Sequence, residues 1–373
     1  MSAVLASARR IVIKVGSALI SESGDVREDW LTALGQDLKA LTDNKQDVVL
    51  VSSGAIAVGR GALGGGIPRR LEEKQAAAAF GQPRLMAALN RAFSANGFTL
   101  AQALLTLDDT EHRRRWLNAR ATLETILAVP GGLPIINEND TVATDEIRYG
   151  DNDRLAARVA QMLSADLLVL LSDVDGLYSA DPRHDETAQH IAEVDGLTSE
   201  HIAMAGGANT ASGLGSGGMA TKLMAAQIAY GAGCATLIAD GRGSHPITAL
   251  KQGARHTLVR PSLTPRAARL QWLASHLKPE GVIHVDAGAA TALSGGSSLL
   301  PVGITGVDGE FERGAAIAIH TPQGEPIARG VTAYSARDIA LIAGCRSDEV
   351  ETRLGVRGRP SVVHRDDLVR DNA

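Results

Sequence analysis

The stretch Leu167-Leu168-Val169-Leu170-Leu171, which ends at Ser172-Asp173, decides the fold of this chain. Consecutive apolar residues that stop abruptly at polar ones are typical of a strand buried on both faces, as in a parallel sheet between two helical layers. Helix-like segments at 71–93 and 113–127 separate further runs of this kind, which lie at 11–15, 48–51, 133–136 and 235–239. The alternation predicts an α/β fold over residues 1–260, a three-layer αβα domain with a mainly parallel sheet.

The pattern changes after Pro261, where short strands replace the long apolar runs. Residues 261–280 are interpreted as a connecting segment with a helix over 266–277. From residue 281, Gly and Pro break the sequence into candidate strands at 282–285, 303–307, 315–320 and 326–331, and Asp308-Gly309 is typical of a hairpin turn. We therefore predict a small, mostly β domain over residues 281–355, followed by a C-terminal tail over 356–373.

Bulk composition limits the possible partners more than it identifies a function. The 373 residues carry a net charge of −5, which gives no electrostatic reason to expect nucleic acid or an anionic membrane. Cys234 and Cys345 are the only cysteines and form no CxxC pair, which argues against a disulfide framework or a zinc site. No apolar run approaches the ~18 residues of a membrane span, and the segment before Arg9 is too short for a signal peptide. We expect a cytoplasmic protein.

Three glycine-containing segments lie where a strand runs into a helix, the position at which free backbone N–H groups attract anions. Lys14 precedes Gly16 within an apolar strand, so its ammonium group requires an anion, either a ligand or an ion-pair partner at the rim of the sheet. Ser52-Ser53-Gly54 is compatible with a helix cap as well as with a substrate site. Residues 212–222 place four glycines before a helix that carries Lys222, which favours phosphate binding over a mobile surface loop.

Two GxGxxG matches, at 59–64 and 213–218, do not indicate a dinucleotide fold. A chain with 40 glycines produces such matches readily, and residues 203–211 before the second match are not strand-like. The second segment is not a Walker A loop either, because Lys222 does not directly follow the last glycine and Leu223 replaces the hydroxyl residue. The sequence therefore argues against a Rossmann oxidoreductase and against a P-loop NTPase.

Two clusters of Asn and Asp residues follow the apolar run at 133–136. The first is Asn137-Glu138-Asn139-Asp140, the second is Gly150-Asp151-Asn152-Asp153, and a short hairpin is predicted between them. Their side chains could accept hydrogen bonds from a substrate ammonium group, donate to its carboxylate through asparagine, or ligate a hard metal ion. Turn chemistry with a helix cap explains one such cluster more readily than two.

Taken together, these segments resemble the amino acid kinase family. The resemblance is carried by Asp173-Val174-Asp175-Gly176-Leu177-Tyr178 with Ala180-Asp181-Pro182, by Lys14-Val15-Gly16 and by Gly217-Gly218-Met219-Ala220-Thr221-Lys222. That family phosphorylates carboxylates, carbamate or UMP, and the two Asn/Asp clusters most resemble its members that phosphorylate the γ-carboxylate of glutamate in proline biosynthesis. The region from residue 281 resembles a PUA domain. Ser52 and Ser172 stand where relatives often have Thr, and both keep the hydroxyl group.

The resemblance implies a site with three sets of residues. Lys14, Lys222 and Asp153 are the implied catalytic residues, with Asp153 orienting two cations beside the transferred phosphoryl group. The implied substrate contacts are Ser53, Gly54, Asp140, Asp151 and Asn152. The implied nucleotide contacts are Lys14, Gly16, Ser172, Asp173, Ser216, Gly217, Gly218, Met219, Ala220, Thr221 and Lys222. ATP is the implied co-substrate, and Mg2+ is expected to arrive with it rather than in a protein metal site.

Other functions and partners stay open at this level. Another kinase of the same family, acting on N-acetylglutamate, aspartate or UMP, is the first alternative. An RNA-binding protein is the second, suggested by the PUA-like region. From residue 281 onward nine Arg and no Lys face twelve Asp and Glu, a net charge of −3, so we do not expect RNA binding. Homo-oligomers and inhibition by proline are implied by the family alone.

Overall fold

The computed structural model describes residues 3–142, 152–198, 201, 204, 218–276, 278–356 and 358–370. The chain forms two compact units, Met1–Pro265 and Arg266–Ala373. The domain limits inferred above from the sequence stay predictions. Among the described helices, none has both the length and the apolar character that crossing a lipid bilayer requires.

The first unit alternates strands and helices along most of its length. Its strands are β1 (Arg10–Val15), β2 (Ser21–Glu22), β3 (Asp25–Val26), β4 (Asp47–Val51), β5 (Thr99–Leu105), β6 (Gly132–Glu138), β7 (Leu167–Ser172), β8 (Leu177–Tyr178), β9 (His190–Ile191), β10 (Glu193–Asp195), β11 (Ala235–Asp240) and β12 (His256–Arg260). Its helices are α1 (Ala3–Ser7), α2 (Ser17–Ile20), α3 (Glu28–Asp43), α4 (Ala55–Gly59), α5 (Leu71–Ser94), α6 (Leu107–Glu111), α7 (Arg113–Leu127), α8 (Asn152–Leu163), α9 (Met219–Gly231) and α10 (Pro246–Lys251), with 3-10 turns at Arg60–Leu63 and Asp140–Val142.

Eight strands form the central sheet in the order β10-β12-β11-β7-β1-β4-β6-β5. All neighbouring strands run parallel except β11 and β12. The mainly parallel sheet predicted from the sequence is confirmed, and every apolar run identified in the first unit forms one of its strands. The sequence did not predict β5, β10 or β12 of this sheet. Strand β5 lies at an edge, carries a polar Gln102 and has no fully buried side chain, so no apolar run marks it.

Alternation along β1 directs its side chains to two different helical layers. Ile13 packs in the apolar cluster that includes side chains of α3 and α5, whereas Val12 packs in the cluster that includes side chains of α8 and α9. Residues two apart on a strand share a face of the sheet. Lys14 therefore lies on the same face as Val12, toward α8 and α9.

Helices α4 and α5 cross at a distance that only glycine permits. A Cβ atom at Gly81 would lie 1.8 Å from the carbonyl oxygen of Ala55, and one at Gly59 would lie 1.8 Å from that of Ala77. Helix α4 begins directly after Gly54, whose φ of 97° is a left-handed conformation that favours glycine. The close crossing therefore fixes the position of α5 beside the end of β4.

The second unit contains a five-stranded sheet in the order β14-β13-β15-β16-β17. Only β13 and β15 pair in parallel, so the expectation of a strand-rich second region is confirmed. Its strands are β13 (Gly281–Val285), β14 (Ile304–Asp308), β15 (Ala316–His320), β16 (Pro326–Thr332) and β17 (Val363–Arg370). The helices that accompany them are α11 (Pro265–His276), α12 (Ala287–Ser294), α13 (Ala336–Ile342) and α14 (Val350–Leu354), with a 3-10 turn at Pro301–Gly303.

Two details of the second unit differ from the sequence prediction. The hairpin predicted at Asp308-Gly309 is wrong, because β14 pairs with β13 and not with the following strand β15. Phe311, just after that turn, packs into the core of the unit. Strand β17 comes from the segment interpreted as a C-terminal tail, and it pairs with β16. The exposed pair His364 and Arg365 interrupts its apolar pattern, which hid the strand in the sequence.

Replacing Gly81 by Ala is expected to destabilise the first unit, because the added methyl group would overlap the backbone of α4 and overpacking costs about 1 to 3 kcal/mol or more. Thermal unfolding followed by circular dichroism should show a melting temperature at least about 4 °C below that of the unchanged protein. Gly61→Ala is the matched control, since a Cβ atom there meets nothing within 4 Å. An unchanged melting temperature for Gly81→Ala would contradict the close crossing of α4 and α5.

Candidate active site

Two lysines from different elements meet one carboxylate at the edge of the sheet where the parallel strands end. Lys14 lies near the end of β1, Asp153 in the first turn of α8 and Lys222 in the first turn of α9. Nζ of Lys14 lies 2.6 Å from Oδ1 of Asp153, and Nζ of Lys222 lies 3.2 Å from Oδ2 of the same carboxylate. All three side chains are buried. The anion that the burial of Lys14 requires is therefore Asp153, another residue of the predicted site.

Asp153 stays ionised despite its burial. Burial raises the pKa of a carboxyl group, but the ammonium groups of Lys14 and Lys222 outweigh this effect and hold the pKa of Asp153 well below its usual range. The hydroxyl group of Thr221 donates to Oδ2 of Asp153 at 3.1 Å. Two cations on one anion leave positive charge in a buried position, which favours an anionic ligand there.

A second buried group consists of polar side chains joined by hydrogen bonds. Nδ2 of Asn152 donates to Oγ of Ser53 at 2.9 Å and to Oδ1 of Asn137 at 3.1 Å. Nδ2 of Asn137 donates to Oε1 of Gln82 at 2.8 Å, and the backbone N–H of Glu138 donates to Oδ1 of Asn137 at 2.9 Å. Both donors of Asn152 are thus engaged, whereas its buried Oδ1 has no hydrogen-bond partner among the described residues.

Asp140 is a second carboxylate of the predicted site, and its environment differs from that of Asp153. It lies in the 3-10 turn that follows β6, and burial raises its pKa to about 6. Such a group is ionised at neutral pH but poorly solvated, so a cationic partner stabilises it. Asp140 and Oδ1 of Asn152 are both acceptors of the kind that a substrate ammonium group needs.

The residues predicted to bind nucleotide lie at neighbouring strand and helix ends. Strand β1 pairs with β7, and the N–H of Gly16 donates to the carbonyl oxygen of Leu171 at 3.1 Å, so the sheet already uses this amide. Ser172 is buried at the end of β7, and Asp173 after it is exposed. Helix α9 is capped by Gly218 and begins with Met219, Ala220, Thr221 and Lys222.

The structure therefore joins Lys14, Asp153 and Lys222 into one group and Ser53 with Asn152 into another. Thr221 contacts Asp153 in addition to its place in the predicted nucleotide segment. Asp151, Ser216 and Gly217, together with residues 143–149 of the predicted hairpin, lie outside the described residues.

Sequence reasoning missed Gln82, which belongs to the hydrogen-bonded group through Asn137. The sequence did contain a signal for it. Gly81-Gln82-Pro83 interrupts a long helix that is otherwise rich in good helix formers, and glycine and proline are both costly inside helices. A costly sequence inside a helix points to a packing or functional reason.

The arrangement provides fixed positive charge and fixed hydrogen-bond acceptors in neighbouring buried places. Two ammonium groups that a carboxylate holds in position need no reorganisation when negative charge develops between them. This suits a reaction in which two anions are aligned and a charged group passes from one to the other. Within the described part of the chain, no cluster of three or more His, Cys, Asp and Glu side chains is arranged to hold a metal ion.

Comparison with known proteins gives matches along nearly the whole chain. Residues 9–240 match the model of the amino acid kinase family, and residues 281–354 match the model of the PUA domain. The chain is 54% identical over 369 residues to the glutamate 5-kinase of Paramagnetospirillum magneticum, which covers 98% of this chain and 99% of that protein. It is 53% identical over 365 residues to the glutamate 5-kinase of Caulobacter vibrioides, covering 97% and 96%, and 53% identical over 373 residues to that of Agrobacterium fabrum, covering 99% and 95%.

Replacing Asp153 by Ala is expected to destabilise the first unit by about 3 to 5 kcal/mol, because two buried ammonium groups lose the anion they share. The triple variant Lys14→Met, Asp153→Ala, Lys222→Met removes the buried charges as a set and should be more stable than Asp153→Ala alone. Urea unfolding of the two variants gives the comparison. A triple variant that is the less stable of the two would show that the lysines do not rely on Asp153 for their burial.

Proposed function

The chain belongs to the amino acid kinase family and, within it, to the glutamate 5-kinases, and from this premise we propose that it transfers the γ-phosphoryl group of ATP to the γ-carboxylate of L-glutamate. The product is L-glutamyl 5-phosphate, and the reaction is the first step of proline biosynthesis. The observation that carries the proposal is the pair of buried ammonium groups on Asp153. Identity to glutamate 5-kinases over nearly the full length supports the choice of acceptor.

The reaction needs alignment more than proton transfer. An oxygen of the γ-carboxylate attacks the γ-phosphorus, the bond from that phosphorus to the β,γ-bridging oxygen breaks, and ADP leaves with the electron pair. A glutamate carboxyl group has a pKa of about 4 and is ionised at neutral pH, so the acceptor requires no general base. The enzyme then has to overcome repulsion between two anions and stabilise the charge on the moving phosphoryl group.

Lys14 and Lys222 are the residues that would supply this stabilisation. Lys14 lies on β1, which pairs with β4, the strand that leads into Ser53, so it approaches from the acceptor side. Lys222 lies in the first turn of α9, behind the glycine-rich segment, so it approaches from the nucleotide side. Asp153 keeps the two ammonium groups at a fixed separation, which makes it an orienting residue of the phosphoryl site.

The second buried group would bind the amino acid end of glutamate. Oδ1 of Asn152 and the carboxylate of Asp140 would accept from the α-ammonium group. Oγ of Ser53 already accepts from Asn152, which leaves its own hydroxyl hydrogen to donate to the α-carboxylate. Gly54, whose left-handed backbone favours glycine, makes the turn from β4 into α4 directly after that serine.

ATP would bind across the ends of β1, β7 and α9. Ser172 and Asp173 stand at the end of β7. The N–H groups of Met219 and Ala220 precede the first hydrogen bonds of α9, which Thr221 and Lys222 donate to Gly218, and so suit phosphate oxygens. Mg2+ would enter with ATP, bound to phosphate oxygens and water, because both oxygens of Asp153 already face ammonium groups. When bound, the ion neutralises phosphate charge.

The proposal extends to the setting of the enzyme. A cytoplasmic location, a homo-oligomeric state and feedback inhibition by proline rest on membership of the family alone. No step of the transfer is assigned to the second unit, whose region 281–354 matches the PUA domain.

The first test is acyl phosphate formation, trapped with hydroxylamine as the hydroxamate. Turnover with L-glutamate should exceed turnover with N-acetyl-L-glutamate or L-aspartate by at least about 100-fold, because a site with fixed polar partners rejects analogues that leave them unpaired. Release of ADP measures UMP as acceptor on the same scale. Preference for one of the other acceptors would reassign the chain within its family.

Lys222→Met should lower kcat with glutamate by at least about 100-fold in the same assay, since it removes a charge contact to the transition state.

The second test is the pH dependence of kcat/KM for glutamate, which reports groups of the free enzyme. Burial raises the pKa of Asp140 to about 6, and only the ionised form can pair with the α-ammonium group. Activity should therefore be retained above about pH 6 and fall as the pH drops through that value. Asp140→Asn should lower kcat/KM at pH 8 and abolish the acidic limb. The matched control Asp29→Asn, at an exposed position, should leave both kcat/KM at pH 8 and the acidic limb unchanged. A limb that persists in Asp140→Asn belongs to another group.

A further inference from the structure

Gln82 occupies a place on α5 that costs the helix stability. Gly81 before it fits against the carbonyl oxygen of Ala55 with no room for a Cβ atom. Pro83 after it has no N–H to donate to the carbonyl group four residues earlier, so one helical hydrogen bond is missing. The half-buried side chain of Gln82 reaches Asn137 at the end of β6. The close crossing of α4 and α5 therefore sets where the amide of Gln82 stands.

Gln82 and the backbone of Glu138 together determine how Asn137 can be oriented. Its Oε1 accepts from Nδ2 of Asn137 at 2.8 Å, while the N–H of Glu138 donates to Oδ1 of Asn137 at 2.9 Å. An acceptor at one end and a donor at the other leave the Asn137 amide with a single satisfied orientation. Because Asn137 is buried, loss of the acceptor would leave a donor unpaired, which costs free energy.

The orientation of the Asn137 amide in turn determines the orientation of the Asn152 amide. With Oδ1 of Asn137 turned toward it, Asn152 donates through Nδ2 to that oxygen and to Oγ of Ser53. Its own Oδ1 is then presented as a buried acceptor without a partner in the described structure. A reversed amide would instead present N–H groups, which repel an ammonium group.

We propose that Gln82 is a positioning residue for the substrate ammonium group, acting through Asn137 to present the side-chain oxygen of Asn152 to it. The inference rests on the proposed function, because it takes an α-amino acid as the acceptor. Gln82 acts through two other amides and not on the reacting atoms. Its effect should therefore be confined to recognition of the amino group. An ammonium group can only donate, whereas a hydroxyl group in the same place can donate or accept.

The test compares Gln82→Met, which removes the acceptor at similar side-chain length, with Gln82→Glu, which keeps an acceptor there. Asn90→Leu removes an exposed amide from the same helix and is the matched control. The measurements are KM for L-glutamate, KM for ATP, kcat, and the inhibition constant of L-2-hydroxyglutarate, which carries a hydroxyl group in place of the ammonium group. Melting temperatures identify variants that fold poorly.

Gln82→Met should raise KM for glutamate about tenfold, the effect of losing one buried hydrogen-bonded position. KM for ATP, kcat and the inhibition constant of L-2-hydroxyglutarate should stay within about twofold, and Gln82→Glu and Asn90→Leu should keep KM for glutamate within about threefold. An unchanged KM in Gln82→Met, a parallel rise for both ligands, or an equal rise in Gln82→Glu would overturn the inference alone. If the unchanged protein forms no hydroxamate from glutamate, the proposed function fails and the inference falls with it.

Discussion

The carboxylate of Asp153, held between the ammonium groups of Lys14 and Lys222, is the interaction on which the rest of the first unit's site depends. Burying either lysine alone would cost several kcal/mol, and burying both without an anion would add their mutual repulsion. One shared anion makes both burials possible, and the three side chains together still carry one net positive charge. The end of β1 and the first turns of α8 and α9 must therefore stay together for the site to exist.

The second polar group depends on the other helical layer. Helix α5 packs in the apolar cluster on the face of Ile13, whereas α8 packs in the cluster on the face of Val12. The hydrogen bonds from Gln82 through Asn137 to Asn152 therefore pass over the end of β6 and connect the two layers. The close contact of Gly59 and Gly81 between α4 and α5 sets the position of Gln82, so these two glycines serve helix packing rather than phosphate binding.

The sequence predicted those parts of the structure that depend on local interactions along the chain. Strands β1, β4, β6, β7 and β11 were identified because burial on both faces leaves an unbroken apolar run, whereas the short strand β12 was missed although it is not at an edge of the sheet. Helix α7 was predicted at its observed bounds of Arg113–Leu127. Edge strands β5 and β17 carry polar residues, so no apolar run marked them. The pairing of β14 with β13, and the contact of Gln82 with Asn137 across 55 residues, depend on tertiary placement that no local pattern encodes.

The two carboxylates of the site have pKa values displaced in opposite directions, and their partners explain why. Both lose water on burial, which raises the pKa of each, but only Asp153 has two ammonium groups within reach. Asp153 therefore keeps its charge as the pH falls through the range near pH 6 in which Asp140 becomes protonated. A difference in pKa of this kind lets two carboxylates in one site perform different tasks. Of these two carboxylates, the one on the amino acid side of the site, Asp140, is therefore the one through which pH changes near 6 act.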